Sequence, residues 1–264
     1  MDKLSSILVV VEDVPGGLAV LDKAVQIARC FQARIELMVG DLTQAGTFAD
    51  YCTRHAYDEA LFDGMLRGAE SLDDVILRRV RQRCPDLIIT QLQEHDWRLV
   101  QECTVPIMLV GARPWSQPLR LAAAVDVAAR DAEAVTRSIL QCAGFLALGS
   151  HADLDILYSE CDERDETLRM KRAVKLAQLV REFHVGSEHL QIFSGQPGQT
   201  LPAIIAARRY DVLVLGAVTH RSGVGAGLDG DLLLVKAAGP GEIRVPVRPE
   251  SRRQQIPDKS EQFV

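Results

Sequence analysis

Short, continuous runs of β-branched and aliphatic residues alternate along this chain with amphipathic helical segments. Ile7–Val11 is such a run, and it ends in Glu12 and the turn residues Pro15–Gly17 before a helical pattern begins. A strand without polar alternation is buried on both faces, as in a parallel sheet that helices cover on both sides. The chain is therefore predicted to be an α/β protein with right-handed βαβ crossovers.

The same order of strands and helices occurs twice in the sequence. Three pairs of corresponding positions measure the repeat: Glu12 and Asp126 are 114 residues apart, Asp86 and Asp211 are 125 apart, and Val110 and Val247 are 137 apart. Self-similarity of this kind indicates two copies of one supersecondary unit. We predict two tandem, open, parallel five-stranded sheets flanked by helices, each Rossmann-like.

The shift between the copies grows along the repeat. Its growth predicts 11 extra residues in the middle of the second copy and 12 more between its fourth and fifth strands, as a glycine-rich loop that the first copy lacks. After this loop we predict a short helix over Asp231–Ala238 and the last strand over Ile243–Val247. The domains are then residues 1–113 and 114–249, with a proline-bounded linker between them and a polar, disordered tail over 250–264.

Bulk properties narrow the function classes. The net charge of −6 argues against general binding to a nucleic-acid backbone, because such proteins carry basic patches. No apolar run reaches the roughly 20 residues that a membrane helix needs, and the polar N-terminus does not resemble a signal peptide. We therefore expect a cytoplasmic protein that binds neither membranes nor nucleic acid. None of the six cysteines has metal-site or redox-motif spacing.

One glycine-rich segment could carry chemistry. It follows the fourth strand of the second copy from Gly216 to Gly223 and continues to Gly230. In an open α/β sheet the ligand crevice lies at the carboxyl ends of the strands, where a helix N-terminus offers free N–H groups to an anion. Glycine lets the backbone approach a phosphate closely. Asp126 ends the first strand of the same copy, so its carboxylate is expected at this crevice.

These residues resemble the universal stress protein family. The resemblance rests on Leu213–Gly216 followed by Arg221–Gly223 and Gly230, with Gly195–Pro197 after the third strand, and it covers residues 4–249. Nucleotide-binding members have an Asp after strand one and a loop of the form G-x2-G-x9-G-(S/T). Two copies in one chain, with Asp96-Trp97 late in the first, are similar to the tandem, E-type branch. The fold implied is the adenine-nucleotide alpha hydrolase-like one.

The resemblance also implies a ligand-binding set. Asp126 would face the adenine or ribose, Gly216 would lie under the phosphates, and the complete set is Asp126, Gly195, Gly216, Thr219, His220, Arg221, Ser222, Gly223, Gly230 and Asp231. Thr219 or His220 stands at the second loop glycine, depending on which end of the loop is aligned. Asp231 replaces the final Ser or Thr, where it would repel a phosphate about 4 Å away by about 4 kcal/mol unless Mg²⁺ bridged the two. A helix N-cap is the other interpretation of Asp231.

By the resemblance, the chain is a stress-response binding protein rather than an enzyme. It would hold ATP, ADP or AMP, with Mg²⁺, or another small ligand in its second domain and act through partner contacts. We expect a homodimer of tandem chains, and Ile107–Val110 with Ile243–Val247 as the interface between the two domains. A nucleotide-free scaffold is the alternative. Slow ATP hydrolysis is the least favoured, because neither a general base nor an arginine clamp is identifiable. No catalytic or metal-binding residue is predicted.

Overall fold

A computed structural model describes most of the chain, namely residues 3–12, 14–40, 43, 45–55, 57, 62–67, 72–91, 97–127, 132–160, 166–183, 187–217 and 230–237. Within these ranges the chain forms ten β-strands and seven α-helices. The first half contains β1 (Ser6–Val11), α1 (Val14–Phe31), β2 (Arg34–Val39), α2 (Ala45–Arg54), β3 (Phe62–Arg67), α3 (Leu72–Arg83), β4 (Leu87–Gln91), α4 (Trp97–Glu102) and β5 (Ile107–Val110). The second half contains β6 (Arg120–Val125), α5 (Ala132–Ser150), β7 (Asp153–Glu160), α6 (Glu166–Glu182), β8 (Leu190–Ser194), α7 (Pro197–Arg208), β9 (Val212–Gly216) and β10 (Asp231–Val235).

All ten strands belong to one continuous sheet with the order β3-β2-β1-β4-β5-β10-β9-β6-β7-β8. Neighbouring strands within each half are parallel, and the two halves meet where β5 and β10 pair antiparallel. The predicted α/β class, with parallel five-stranded arrangements flanked by helices, is confirmed. The antiparallel seam also means that the carboxyl ends of the strands point to opposite edges of the sheet in the two halves.

Helices cover both faces of this sheet, as its uninterrupted apolar strands require. The core on one face includes buried side chains of α1, α2, α5 and α6, and the core on the other face includes those of α3, α4 and α7. Each core draws on strands of both halves, so the seam is buried on both sides. On the first face Phe31 of α1 stacks on Phe145 of α5 with ring centroids 4.9 Å apart.

The repeat is visible in equivalent hydrogen bonds as well as in the strand order. In the first half the Ser6 N–H donates to the Asp86 carboxylate over 3.0 Å, and in the second half the Arg120 N–H donates to Asp211 over 2.9 Å. In return, the N–H of each aspartate donates to the carbonyl of that same strand residue. Each aspartate therefore joins the start of its fourth strand to the start of its first strand. The two strand residues are 114 positions apart and the two aspartates are 125 apart, which are the predicted shifts.

The prediction for residues 231–238 was wrong. Asp231–Val235 is the strand β10, which pairs with β9 in parallel, whereas Ile243–Val247 lies outside the described residues. Ile88 pairs with Ile107 in the first half and Leu213 pairs with Leu232 in the second, so the shift stays at 125 residues through the fifth strand. The connection from the fourth to the fifth strand thus has the same length in both halves, and the second half has no 12-residue insertion there.

The predicted junction between the halves is corrected in the same way. β5 is one of its strands, as expected, but its partner is β10 and not residues 243–247. The pairs are Ile107 with Leu234, Met108 with Leu233, and Leu109 with Leu232. The shift of 125 residues makes Leu233 the counterpart of Met108, so at this position two equivalent residues face each other. On either side, Ile107 faces the counterpart of Leu109, and Leu109 faces the counterpart of Ile107. A pseudo-twofold axis therefore passes between Met108 and Leu233.

The cysteines give a direct test of this packing. Cys30 and Cys84 are exposed and Cys103 and Cys142 are buried, and none of the described cysteines forms a disulfide. Burial raises the pKa of Cys142 to about 11. Since the thiolate is the nucleophile, only about one Cys142 side chain in a thousand is reactive at pH 8 even before access is considered. Site-resolved labelling with a thiol reagent is expected to modify Cys84 in the native protein and Cys142 only after unfolding. Equal labelling rates at these two sites would contradict the fold.

Candidate functional site

The carboxyl ends of β6 and β9 form the candidate ligand site. In the second half these two strands are neighbours, and the strands that follow them in the chain, β7 and β10, lie on opposite sides of the pair, so β6 and β9 flank the topological switch point of the sheet. Ala123 pairs with Val214, and the same register brings Val125 next to Gly216. Asp126 follows directly and is exposed. A carboxylate acceptor and a backbone without a side chain thus lie next to each other at the crevice.

A buried hydroxyl connects this strand end to the helix that follows. The Thr136 Oγ1 of α5 donates to the Asp126 carbonyl over 2.5 Å, and Thr136 is almost fully buried. The bond anchors the backbone of Asp126 while its side chain remains at the surface. Asp126 is therefore held at a defined position beside the end of β9.

Gly195 lies at the same edge, at the end of β8. Its φ of +120° is rare for other residues, and an added Cβ would lie 2.8 Å from the Thr200 methyl carbon. Its N–H donates to the Glu160 carbonyl over 3.1 Å, and its carbonyl accepts a hydrogen bond from the Ser159 hydroxyl. A tight turn explains this glycine fully. It stands two strands away from β6, so the structure does not place it with Asp126 and Gly216.

The first half differs from the second at the equivalent of Gly216. A shift of 125 residues maps Gly216 onto Gln91, and the Gln91 side chain covers the first turn of α1: a Cβ added to Gly16 would lie 1.6 Å from its Nε2. The glutamine side chain therefore occupies the space at that helix end. Sequence reasoning missed this difference because it attributed the asymmetry to loop length. The correct shift would have paired Gly216 with Gln91, but it would not have shown where the glutamine side chain lies.

Gly230 and Asp231 are far from Gly216. Asp231 pairs with Val212, at the amino end of β9, so a strand of five residues separates it from the carboxyl end, about 13 Å away. Gly230 lies next to the Tyr210 carbonyl at the same amino edge. The structure thus does not bring these two predicted site residues together with Asp126 and Gly216. Asp231 is also not a helix N-cap, because it begins a strand.

Asp231 belongs instead to a buried cluster at the seam between the halves. Its carboxylate accepts hydrogen bonds from the Lys23 ammonium over 2.8 and 3.0 Å, from the Gly111 N–H over 2.9 Å and from the Trp115 indole N–H over 2.6 Å. The Lys23 and Asp231 side chains are 4% and 2% exposed. Burial raises the pKa of the Asp231 carboxyl, and these donors oppose the shift. Sequence offered no signal for a pair 208 residues apart.

The remaining predicted loop residues, which are Thr219, His220, Arg221, Ser222 and Gly223, lie outside the described residues. Within the described part of the chain, no three His, Cys, Asp or Glu side chains come together as a metal site. Over the same ranges no helix has both the length and the apolar character to cross a membrane.

Comparison with known proteins supports the fold and points to one family. No family model matches the chain. A universal stress protein E homolog from Haemophilus influenzae is 21% identical over 168 residues, which are 57% of this chain and 53% of that protein, so the match spans about half of the relative's length. A Pseudomonas aeruginosa protein assigned to the universal stress proteins has a TM-score of 0.75 at 24% identity, and 88% of this chain and 93% of that chain are covered. A universal stress protein from Archaeoglobus fulgidus has a TM-score of 0.59 at 14% identity, with 89% and 97% covered.

Proposed function

We propose that this chain is a tandem, E-type member of the universal stress protein family and binds an adenine nucleotide in its second domain. Residues 1–113 and 114–249 are the two domains of this proposal. It acts in the cytoplasm as a self-associating binding protein, and the ligand state changes its contacts with partner proteins. Similarity to universal stress proteins supports the family assignment, and the geometry at the β6–β9 switch point supports the ligand.

The observation that carries the proposal is the contrast between Gly216 and Gln91. Equivalent positions at the two switch points differ: the glutamine side chain covers the helix end in the first half, while the second half has a buried glycine there, which carries no side chain. Asp126 is exposed next to Gly216, where its carboxylate can accept hydrogen bonds from a ribose or an adenine amino group. Thr219, His220, Arg221, Ser222 and Gly223 complete the loop in this proposal.

A thermal-shift experiment tests nucleotide binding. ATP, ADP and AMP are each added at 100 times their dissociation constant, with and without Mg²⁺, and a ligand that binds only the folded state then adds about 2.7 kcal/mol of stability. For a chain of this size we expect Tm to rise by about 5–10 °C. In Gly216→Gln the new side chain reproduces the first half's arrangement, so the nucleotide-dependent rise is expected to disappear. Gln91→Gly is the matched control and is expected to keep the full rise.

Two outcomes would contradict the proposal. If millimolar nucleotide does not shift Tm in the wild type, and native mass spectrometry finds no co-purifying small molecule, the chain is a nucleotide-free scaffold. If Gly216→Gln retains the full rise, nucleotide binds elsewhere. Phosphate release measured on the same samples addresses slow ATP hydrolysis, and release that persists in Gly216→Gln and Asp126→Ala identifies a contaminating enzyme.

A further inference from the structure

The first half contains a small cavity that the function proposed above does not use. It has a volume of about 110 Å³ and opens at the amino ends of β1 and β2, beside the end of α3. Ser6, Arg34, Glu36, Arg83 and Pro85 are among the residues that line it. A cavity of about 150 Å³ is known to hold benzene, so this smaller one, which is open to solvent, admits at most a single small ring.

In the second half a tyrosine occupies the equivalent place. The shift of 125 residues maps Pro85 onto Tyr210, whose side chain is among the largest that are fully buried in the structure. The preceding residues, Cys84 and Arg209, both have a left-handed backbone with φ of 45° and 53°. The backbone just before Pro85 therefore has the same left-handed conformation as the backbone just before Tyr210. Proline is too short to fill the space that the tyrosine fills.

The contacts of Tyr210 show what this space accepts. Its hydroxyl donates to the Asp155 carboxylate over 2.5 Å, and the Gln191 amide lies 3.3 Å from the same oxygen. The Arg120 guanidinium lies over the ring, 5.4 Å from its centroid. Together these groups form a phenol site: a carboxylate for the hydroxyl, a cation for the ring face and apolar side chains around it.

The first half has a carboxylate at the equivalent place and cations from other positions around an open cavity. Glu36 pairs with Leu8 of β1, and Asp155 pairs with Ala122 of β6. Leu8 and Ala122 are equivalent at the shift of 114 residues, so Asp155 is the counterpart of Glu36, 119 residues further along the chain. Glu36 is largely buried and forms an ion pair with Arg79, and its carboxylate oxygens are hydrogen-bond acceptors. Arg34 and Arg83 line the mouth and supply cations for a ring face.

We propose that this cavity binds a small hydroxylated aromatic molecule. The ring lies where the Tyr210 ring lies in the second half, and the hydroxyl donates to Glu36. The chain thereby carries a second ligand site, in the half that has no predicted nucleotide site. The ligand class follows from the occupant that the protein itself supplies at the equivalent position.

The test uses p-cresol, which is the tyrosine side chain without its backbone, and the full chain. Ligand-observed NMR titration is expected to show saturable binding to the wild type. Pro85→Tyr should fill the cavity as Tyr210 does and reduce the affinity for p-cresol by at least about tenfold, because the site is then occupied. Unchanged binding in this variant would overturn the proposal, provided that its circular dichroism and Tm show a folded protein.

Two further measurements examine the chemistry of the site. Toluene has the same ring without the hydroxyl, and its binding to the wild type is expected to be weaker by about tenfold or more, since a hydrogen bond to a charged group is lost. Equal affinity for toluene and p-cresol would overturn the role of Glu36. Tyr210→Ala opens the equivalent cavity in the second half, so p-cresol should raise its lowered Tm by more than it raises that of the wild type. No such gain would overturn the equivalence of the two sites.

Discussion

Replacing Asp231 by Ala is expected to lower the free energy of unfolding by about 3–5 kcal/mol, because the Lys23 ammonium is then buried without its counter-ion. The Gly111 and Trp115 N–H groups lose an acceptor at the same time. Lys23→Ala should cost a similar amount, since it leaves the carboxylate buried without its cation. Urea unfolding followed by circular dichroism measures both effects.

A double variant separates the ion pair from a general loss of packing. Lys23→Met combined with Asp231→Leu removes both charges and keeps most of the volume, so it should be more stable than either single alanine variant. Arg98→Ala is the surface control, because that side chain pairs with Asp74 and Glu102 in solvent, and no measurable change is expected. If Asp231→Ala proved as stable as the wild type, the buried pair would be refuted. Stronger ATP binding in Asp231→Ser would instead return this residue to a phosphate loop.

Asp211→Ala is expected to cost about 3 kcal/mol, since this carboxylate is buried and accepts several hydrogen bonds at once. The Ser116 and Arg120 N–H groups donate to it over 3.1 and 2.9 Å, and the Ser116 hydroxyl donates to it as well. All of these donors stand just before or at the start of β6. Removing the carboxylate therefore leaves these N–H groups without this acceptor and loosens the start of the second half.

The repeat supplies a matched comparison for this variant. Asp86 accepts hydrogen bonds from the Ser5 N–H, the Ser5 hydroxyl and the Ser6 N–H over 2.7, 2.9 and 3.0 Å, but it is only partly buried. Asp86→Ala is therefore expected to destabilise the protein less than Asp211→Ala. Asp153→Ala, at an exposed position of β7, should leave the urea midpoint unchanged. The reverse order of the two aspartates would show that burial does not set the cost.

Much of the architecture could be predicted from sequence because of its periodicity. Buried strands such as Ile7–Val11 read as continuous apolar runs, and α1, α3 and α6 show the spacing of an apolar stripe. Asp86 and Asp211 led to the correct shift because each accepts hydrogen bonds from the start of the first strand in its half. α2 was not predicted: residues 43–57 contain few apolar side chains in register, and the helix depends on tertiary contacts such as that of the buried Phe48.

The candidate site was less predictable because its decisive facts are spatial. Leu232–Val235 is a short apolar run that local pattern cannot distinguish from a buried helix, and only its pairing with β5 and β9 makes it a strand. That error created a false insertion, while the resemblance placed Asp231 at the end of the phosphate loop. The effect of Gln91 depends on where its side chain lies over Gly16, which no linear pattern contains.

The pseudo-twofold axis between Met108 and Leu233 has a consequence for how such a protein can diverge. Two identical chains joined by this seam would have to carry every substitution twice, once on each side. Covalent fusion removes that requirement, and this chain has departed from symmetry: the repeat counterparts of Lys23 and Asp231 are Cys142 and Pro106, and that of Tyr210 is Pro85. One copy can then keep a pocket that the other fills with its own side chain. A gene fusion thus turns a dimer with two equal sites into a protein with two different ones.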